Sequence, residues 1–176
     1  MHDINSDRNL LSYMDSLYRY AVVLSRNVSK AADLVQETYL RALASRAHLR
    51  ADSNVKGWLF TILRNLWLNQ LRKLRVAPEQ ADIDLGEVMS TSPTGESVDP
   101  YSLLERKVEV QHVREAIQQL SEDFREIIVL REYEGLSYQE IAEVLNCPVG
   151  TVMSRLARAR SRLRALLAPL QLRPDV

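Results

Sequence analysis

Three of the six prolines and two of the five glycines in this 176-residue chain fall in one window, "RVAPEQADIDLGEVMSTSPTGESVDP", residues 75–100. Proline removes a helix donor and glycine loosens the backbone, so such a window interrupts regular structure. On either side of it, apolar residues recur three and four positions apart, and no run alternates long enough to argue for a sheet. The chain is therefore read as all-α: two small helical bundles joined by an acidic, flexible linker. The expected domains are 1–75, a linker with the start of an entering helix at 76–111, and 112–176.

In the first unit, Leu10, Leu11, Met14, Leu17, Tyr18 and Leu24 form one apolar series. Ser29 is the expected cap of a second helix, whose apolar side would carry Ala32, Val35, Tyr39 and Leu43, flanked by Leu40. "VKGWLFTILRNLWLNQLRKL", residues 55–74, reads as a third helix burying Leu59, Ile62, Leu63, Leu66 and Trp67. In the second unit, Asp99 and Pro100 make a helix start. Leu103, Leu104, Val108, Val113, Ile117 and Leu120 would form the apolar side of that entering helix. Ser121 restarts the pattern, which runs through Phe124, Ile127, Ile128 and Leu130 to Gly135. Ser137 and Glu140 have capping-box spacing ahead of Ile141, Ala142 and Leu145.

The formal net charge is zero, yet the charges are segregated. Residues 1–75 hold twelve Lys/Arg against six Asp/Glu, a balance of +6; residues 76–111 hold two against eight, a balance of −6. Residues 112–176 hold nine of each, most acids first and most arginines last. Such a chain can present basic surfaces to a polyanion while staying neutral overall. The polar, acidic start carries no secretory signal and no apolar run is long enough to span a membrane, so a cytoplasmic location is expected. The single cysteine, Cys147, excludes an intrachain disulfide and a multi-cysteine zinc site. Its expected role is a buried structural thiol. His2, His48 and His112 lack metal-ligand spacing, and no phosphate-binding glycine loop is present. No catalytic residues, metal or cofactor are expected.

One stretch, "NCPVGTVMSRLARARSRLRALL", residues 146–167, places Arg155, Arg158, Arg160, Arg162 and Arg164 in a helix with no acid. Val152, Leu156, Ala159 and Leu163 recur at core spacing, leaving Ser154, Arg155, Arg158 and Arg162 off that stripe. The order of capped short helix, tight break at Asn146–Pro148 and basic helix is that of a helix-turn-helix DNA reader. Gly150 is expected either to keep space where this helix meets its neighbour or simply to be tolerated.

"LSEDFREIIVLREYEGLSYQEIAEVLNCPVGTVMSRLARARSRLRALL" resembles the promoter-reading region 4 of bacterial sigma factors of the extracytoplasmic-function (ECF) group. "AADLVQETYLRAL" and "NVKGWLFTILRNLWLNQLRK" resemble region 2 of the same group, and the chain has no room for the extra regions of housekeeping sigma factors. The resemblance implies a non-catalytic specificity subunit that binds RNA polymerase core, at the beta-prime clamp and beta flap, and directs it to promoter DNA. It also implies control by an anti-sigma factor, with no stable membrane insertion.

By motif position, Met153, Ser154, Ala157 and Arg158 face the −35 groove, while Arg155, Arg160 and Arg162 serve phosphate contacts or packing. Met153 can touch a thymine methyl but cannot donate to guanine as Arg or Lys does, so the −35 preference is expected to differ from that of relatives with a basic residue there. For the −10 strand, Asp52, Ser53 and Asn54 would take a flipped base, and Lys56, Arg64, Asn65, Asn69, Arg72 and Lys73 would hold the separated strand. Trp58 and Trp67 fit either base stacking or the core. Asp33, Gln36, Glu37 and Arg41 match the clamp-binding stretch. The linker's acids, including Asp82, Asp84 and Glu87, would mimic nucleic acid in a basic polymerase channel. Two other readings stay open: a stand-alone helix-turn-helix regulator, and a decoy that binds protein partners only.

Overall fold

The computed structural model describes residues 10–45, 54–76 and 100–171, with side chains placed for 10–45, 54–74 and 108–168. Every regular element among the described residues is helical. They are α1 (Met14–Ser25), α2 (Val28–Ser45), α3 (Val55–Val76), α4 (Pro100–Gln118), α5 (Glu122–Ile128), a π-helical turn (Val129–Tyr133), α6 (Tyr138–Leu145) and α7 (Val149–Gln171). Residues 77–99 of the expected linker, Asp99 among them, and the side chains of Leu103 and Leu104 lie outside the described residues.

α1, α2 and α3 pack on one another, burying Leu17, Tyr20, Leu34, Leu59, Phe60 and Leu63 completely. The Tyr20 and Phe60 rings stack at 5.0 Å between centroids. α2 corrects the expected stripe. Its buried side is Ala31, Leu34, Val35, Thr38 and Ala42, whereas Ala32 is exposed and Leu40 and Leu43 are 57% and 44% exposed. The helix is rotated because Thr38 belongs in the core: its hydroxyl donates to the Leu34 carbonyl at 2.6 Å, so burial leaves no orphaned polar group. Leu11 and Met14 are likewise exposed rather than core. The α2 cap is Asn27, not Ser29: Asn27 Oδ1 accepts from the Lys30 amide at 2.8 Å, two residues earlier than expected.

In the second unit, α7 packs on α4, α5 and α6. Val152, Leu156 and Ala159 are fully or nearly fully buried, as their spacing requires, and Leu163 is half-buried. On α4, Ile117 is buried but Val108 is 47% exposed, outside the expected stripe. The capping box is present in both directions between Ser137 and Glu140. α6 ends at Asn146 in the left-handed conformation (φ 50°), which a short polar side chain tolerates, and Pro148 precedes α7.

The expected α-helical run to Gly135 is instead broken by the π turn. Wider hydrogen bonds, Glu134 N–H to Val129 O and Leu136 N–H to Leu130 O, absorb an extra residue before Gly135 reverses the chain at φ +68°. Gly150 is the tolerated alternative: a Cβ there would meet nothing, so no close approach requires it.

Candidate nucleic-acid interface

α7 presents Met153, Ser154, Ala157, Arg158, Ser161 and Arg162 to solvent. Met153 is 54% exposed, one turn into the basic helix. Arg158 and Arg164 make only local bonds, each Nε donating to a backbone carbonyl one turn back at 3.4 Å. Arg160 differs. Its Nε and Nη2 both donate to Glu132 Oε1, at 2.9 and 2.6 Å, and this pairing moves its pKa upward. Arg155 is half-buried and lies 3.9 Å from Asp123. The α7 face therefore separates into open groups at 153, 154, 157, 158 and 162 and two arginines leaning on their own unit. Cys147 is half-buried against the core rather than fully buried.

The residues expected on the −10 face divide differently. Asn65, Asn69, Arg72 and Lys73 are exposed along α3, with Arg72 donating to Asn69 at 3.1 Å. Asp52 and Ser53 lie outside the described residues. Asn54 caps α3 by accepting from the Gly57 amide at 3.1 Å, and its amide reaches across to Glu140 on α6. Gly57 makes room for this, since a Cβ there would stand 2.7 Å from Asn54 Nδ2. Trp58 and Trp67 are half-buried against the core.

Lys56 and Arg64 face the second unit. Arg64 Nε donates to Glu126 Oε1 at 2.9 Å, and the Tyr20 hydroxyl donates to the same oxygen at 2.7 Å. Burial works against the Arg64 charge, but Glu126 beside it more than compensates and the pKa moves up. Tyr20 is driven well above the usual phenol range by burial and then by Glu126. Glu134 accepts from Arg19 Nε at 3.2 Å through Oε1. Its Oε2 stands 3.3 Å from Lys56 Nζ, close enough for ionic attraction but without hydrogen-bond alignment, and has no hydrogen-bond partner. Lys56 also donates to the Glu134 backbone carbonyl. Glu126 and Glu134 are only 6% and 5% exposed. Sequence reasoning did not single out these two acids. Charge segregation hinted at acid ahead of arginine, and Glu134 stands at the end of the π turn.

Asp33, Gln36 and Arg41 are exposed on α2 and Glu37 is half-exposed, with Arg41 Nε donating to Glu37 at 2.8 Å. Beside them the misassigned apolar residues line an open groove of ≈ 520 Å³, walled by Leu11, Met14, Tyr18, Tyr39, Leu40 and Leu43. Tyr39 anchors its floor by donating to the Leu10 carbonyl at 2.9 Å. Among the described residues, no His, Cys, Asp and Glu group could hold a metal, and no helix is long and apolar enough to cross a membrane.

A helix-turn-helix with an outward basic helix, beside a second helical unit carrying a basic face, is the layout of a DNA-binding protein. Sigma-70 region 2 matches residues 10–76 and Sigma-70, region 4 matches residues 111–163. The chain is 40% identical over 159 residues to the ECF RNA polymerase sigma factor EcfG of Rhodopseudomonas palustris, covering 90% of this chain and 83% of that protein. It is 34% identical over 168 residues to the RNA polymerase sigma-H factor of Pseudomonas aeruginosa, covering 93% and 86%. The sigma factor RpoE of Bartonella quintana, solved in complex with the anti-sigma factor NepR, matches at a TM-score of 0.72 and 35% identity, covering 93% of this chain and 97% of that one. The chain belongs to the sigma-70 family, as an ECF RNA polymerase sigma factor that directs promoter-specific transcription initiation and is itself non-catalytic.

Proposed function

We propose that α7 reads the −35 duplex through Met153, Ser154, Ala157 and Arg158, with Arg155 and Arg162 taking phosphates. The observation that carries this reading is the split of α7 into a buried stripe, Val152, Leu156 and Ala159, and an exposed acid-free face. Such a helix fits the major groove, with flank arginines on phosphates and inner residues on base edges.

Region 2 takes the −10 strand. Asp52, Ser53 and Asn54 receive a flipped base, while Lys56, Arg64, Asn65, Asn69, Arg72 and Lys73 hold the backbone. Core polymerase docks on α2 at Asp33, Gln36, Glu37 and Arg41, with the neighbouring apolar groove adding contact area for the beta-prime clamp. Region 4 meets the beta flap, and the acidic linker enters a basic polymerase channel. An anti-sigma factor is the expected inhibitor, supported by the partner of the Bartonella quintana relative. The site of action is cytoplasmic.

The test is transcription by RNA polymerase core with this protein on a promoter library randomised at −35 and −10. Transcripts from a restricted set, above core alone, are expected, with a −35 preference that changes in Met153→Arg. Core binding without promoter-selective transcripts would reject this division of roles.

A further inference from the structure

The two units meet through a cluster with a specific chemical imbalance. Glu126 and Glu134 of the second unit are almost wholly buried, and each is held by cations of the first: Arg64 for Glu126, Arg19 and Lys56 for Glu134. Two of these three cations, Lys56 and Arg64, are residues assigned above to the −10 strand. A guanidinium engaged by a buried carboxylate at 2.9 Å cannot offer the same Nε–H to a phosphate. The seam is also imperfect, since Glu134 Oε2 is buried without a hydrogen bond. Buried ion pairs recover little net stability after desolvation, so the ionic part of this seam can be exchanged for another anion at modest cost, and the apolar contact of α3 with α6 is what opening must overcome.

We propose that Glu126 and Glu134 act as built-in competitors of the nucleic-acid strand: docking of the two units and single-stranded DNA binding at Arg64 and Lys56 exclude one another. The inference rests on the reading that these two side chains hold the strand. Opening hydrates two carboxylates and frees three cations for phosphates. Strand binding therefore drives the units apart, and any condition that favours docking weakens strand binding.

The experiment uses the full chain, wild type and Glu126→Gln/Glu134→Gln, which keeps side-chain shape and removes both charges. Binding of a fluorescent DNA single strand of about 12 nucleotides is titrated, and small-angle X-ray scattering reports the radius of gyration. If docking occupies most molecules, relieving it tightens apparent affinity by about tenfold, the reciprocal of the open fraction. The expected result is that gain together with a larger radius, and a larger radius for wild type when the strand is added. Glu126→Lys/Glu134→Lys, which repels the three cations, must give the same opening, and circular dichroism confirms that both variants are folded. Opening without tighter binding overturns the proposal, as does a closed protein that binds the strand unchanged. Adding Arg64→Ala and Lys56→Ala to the opened variant separates the two failures. Lost binding there preserves the strand-holding role and refutes only competition. Unchanged binding refutes the strand-holding role, and the competition with it.

Discussion

On α7, Arg155 and Arg160 have acids of their own unit beside them, and Arg158, Arg162 and Arg164 remain exposed. On α3 the division falls along the helix instead. Lys56 and Arg64, nearer its start, are held by acids of the other unit, while Asn65, Asn69, Arg72 and Lys73 remain exposed. A basic helix is thus not one kind of surface. Which cations are available depends on where acids distant in sequence arrive, and in this chain they arrive from within one unit in one case and across two in the other.

The contrast presumes two bodies joined by a seam. Leu63→Ala in the first and Leu156→Ala in the second each remove a fully or nearly fully buried side chain, and each should cost about 2–5 kcal/mol. The units also share one apolar cluster, with α3 packed on α6, so each loss should fall mainly on its own unit and in smaller part on its neighbour. Native-state hydrogen exchange resolves this: lost protection spread equally over both units would make them one cooperative body.

The second unit is also organised around a buried cation, unlike the first. Arg125, 5% exposed, donates to the carbonyls of Ile117, Gln118 and Leu120, closing the end of α4. Burial and the neighbouring Arg26 lower its pKa. Arg125→Ala leaves those carbonyls without that donor and should cost about 3 kcal/mol in urea unfolding, more than any single exposed arginine of α7. An unchanged midpoint would mean that water replaces the guanidinium freely.

Much of this organisation was legible in the sequence, and the misses have a common cause. Periodicity located the buried stripe of α7 and the capping box of α6 because both are local properties of the chain. The α2 stripe was misplaced by rotation, since Thr38 counts as polar until its hydroxyl is seen bonded to Leu34. That error hid the groove at Leu40 and Leu43 beside the clamp-matching residues. Glu126 and Glu134 were invisible as partners of α3 because they stand 62 and 78 positions from Arg64 and Lys56, and no local pattern encodes such a meeting.

Arg158 has no acidic partner among its hydrogen bonds, whereas Arg160 is committed to Glu132. Arg158→Ala should weaken promoter binding by the polymerase holoenzyme by about 1–2 kcal/mol, roughly tenfold, and flatten its dependence on the −35 sequence or on salt. Arg160→Ala should change binding less. Equal losses on a promoter series titrated across salt would show that the Glu132 pairing gives way in the complex and that α7 presents one continuous basic face.

The smallest expected effect lies where the two units touch at Glu140. Partial burial alone would raise its pKa, but hydrogen bonds from Ser137, with Asn54 and Lys56 nearby, hold it below the usual value. A folded pKa below the unfolded one contributes stability that is present above the unfolded value, about 4.3, and is lost as pH falls through the folded value. Glu140→Gln keeps an oxygen for the capping box and removes the charge, so it should cost only about 0.5 kcal/mol at neutral pH. The difference from wild type should shrink steadily as the solution is acidified below that unfolded value. A pH-independent difference would assign the loss to capping geometry instead of charge. Repeating the measurement with Asn54→Ala then apportions the effect: a charge contribution that survives belongs to the α6 start, and one that disappears belongs to the contact between units.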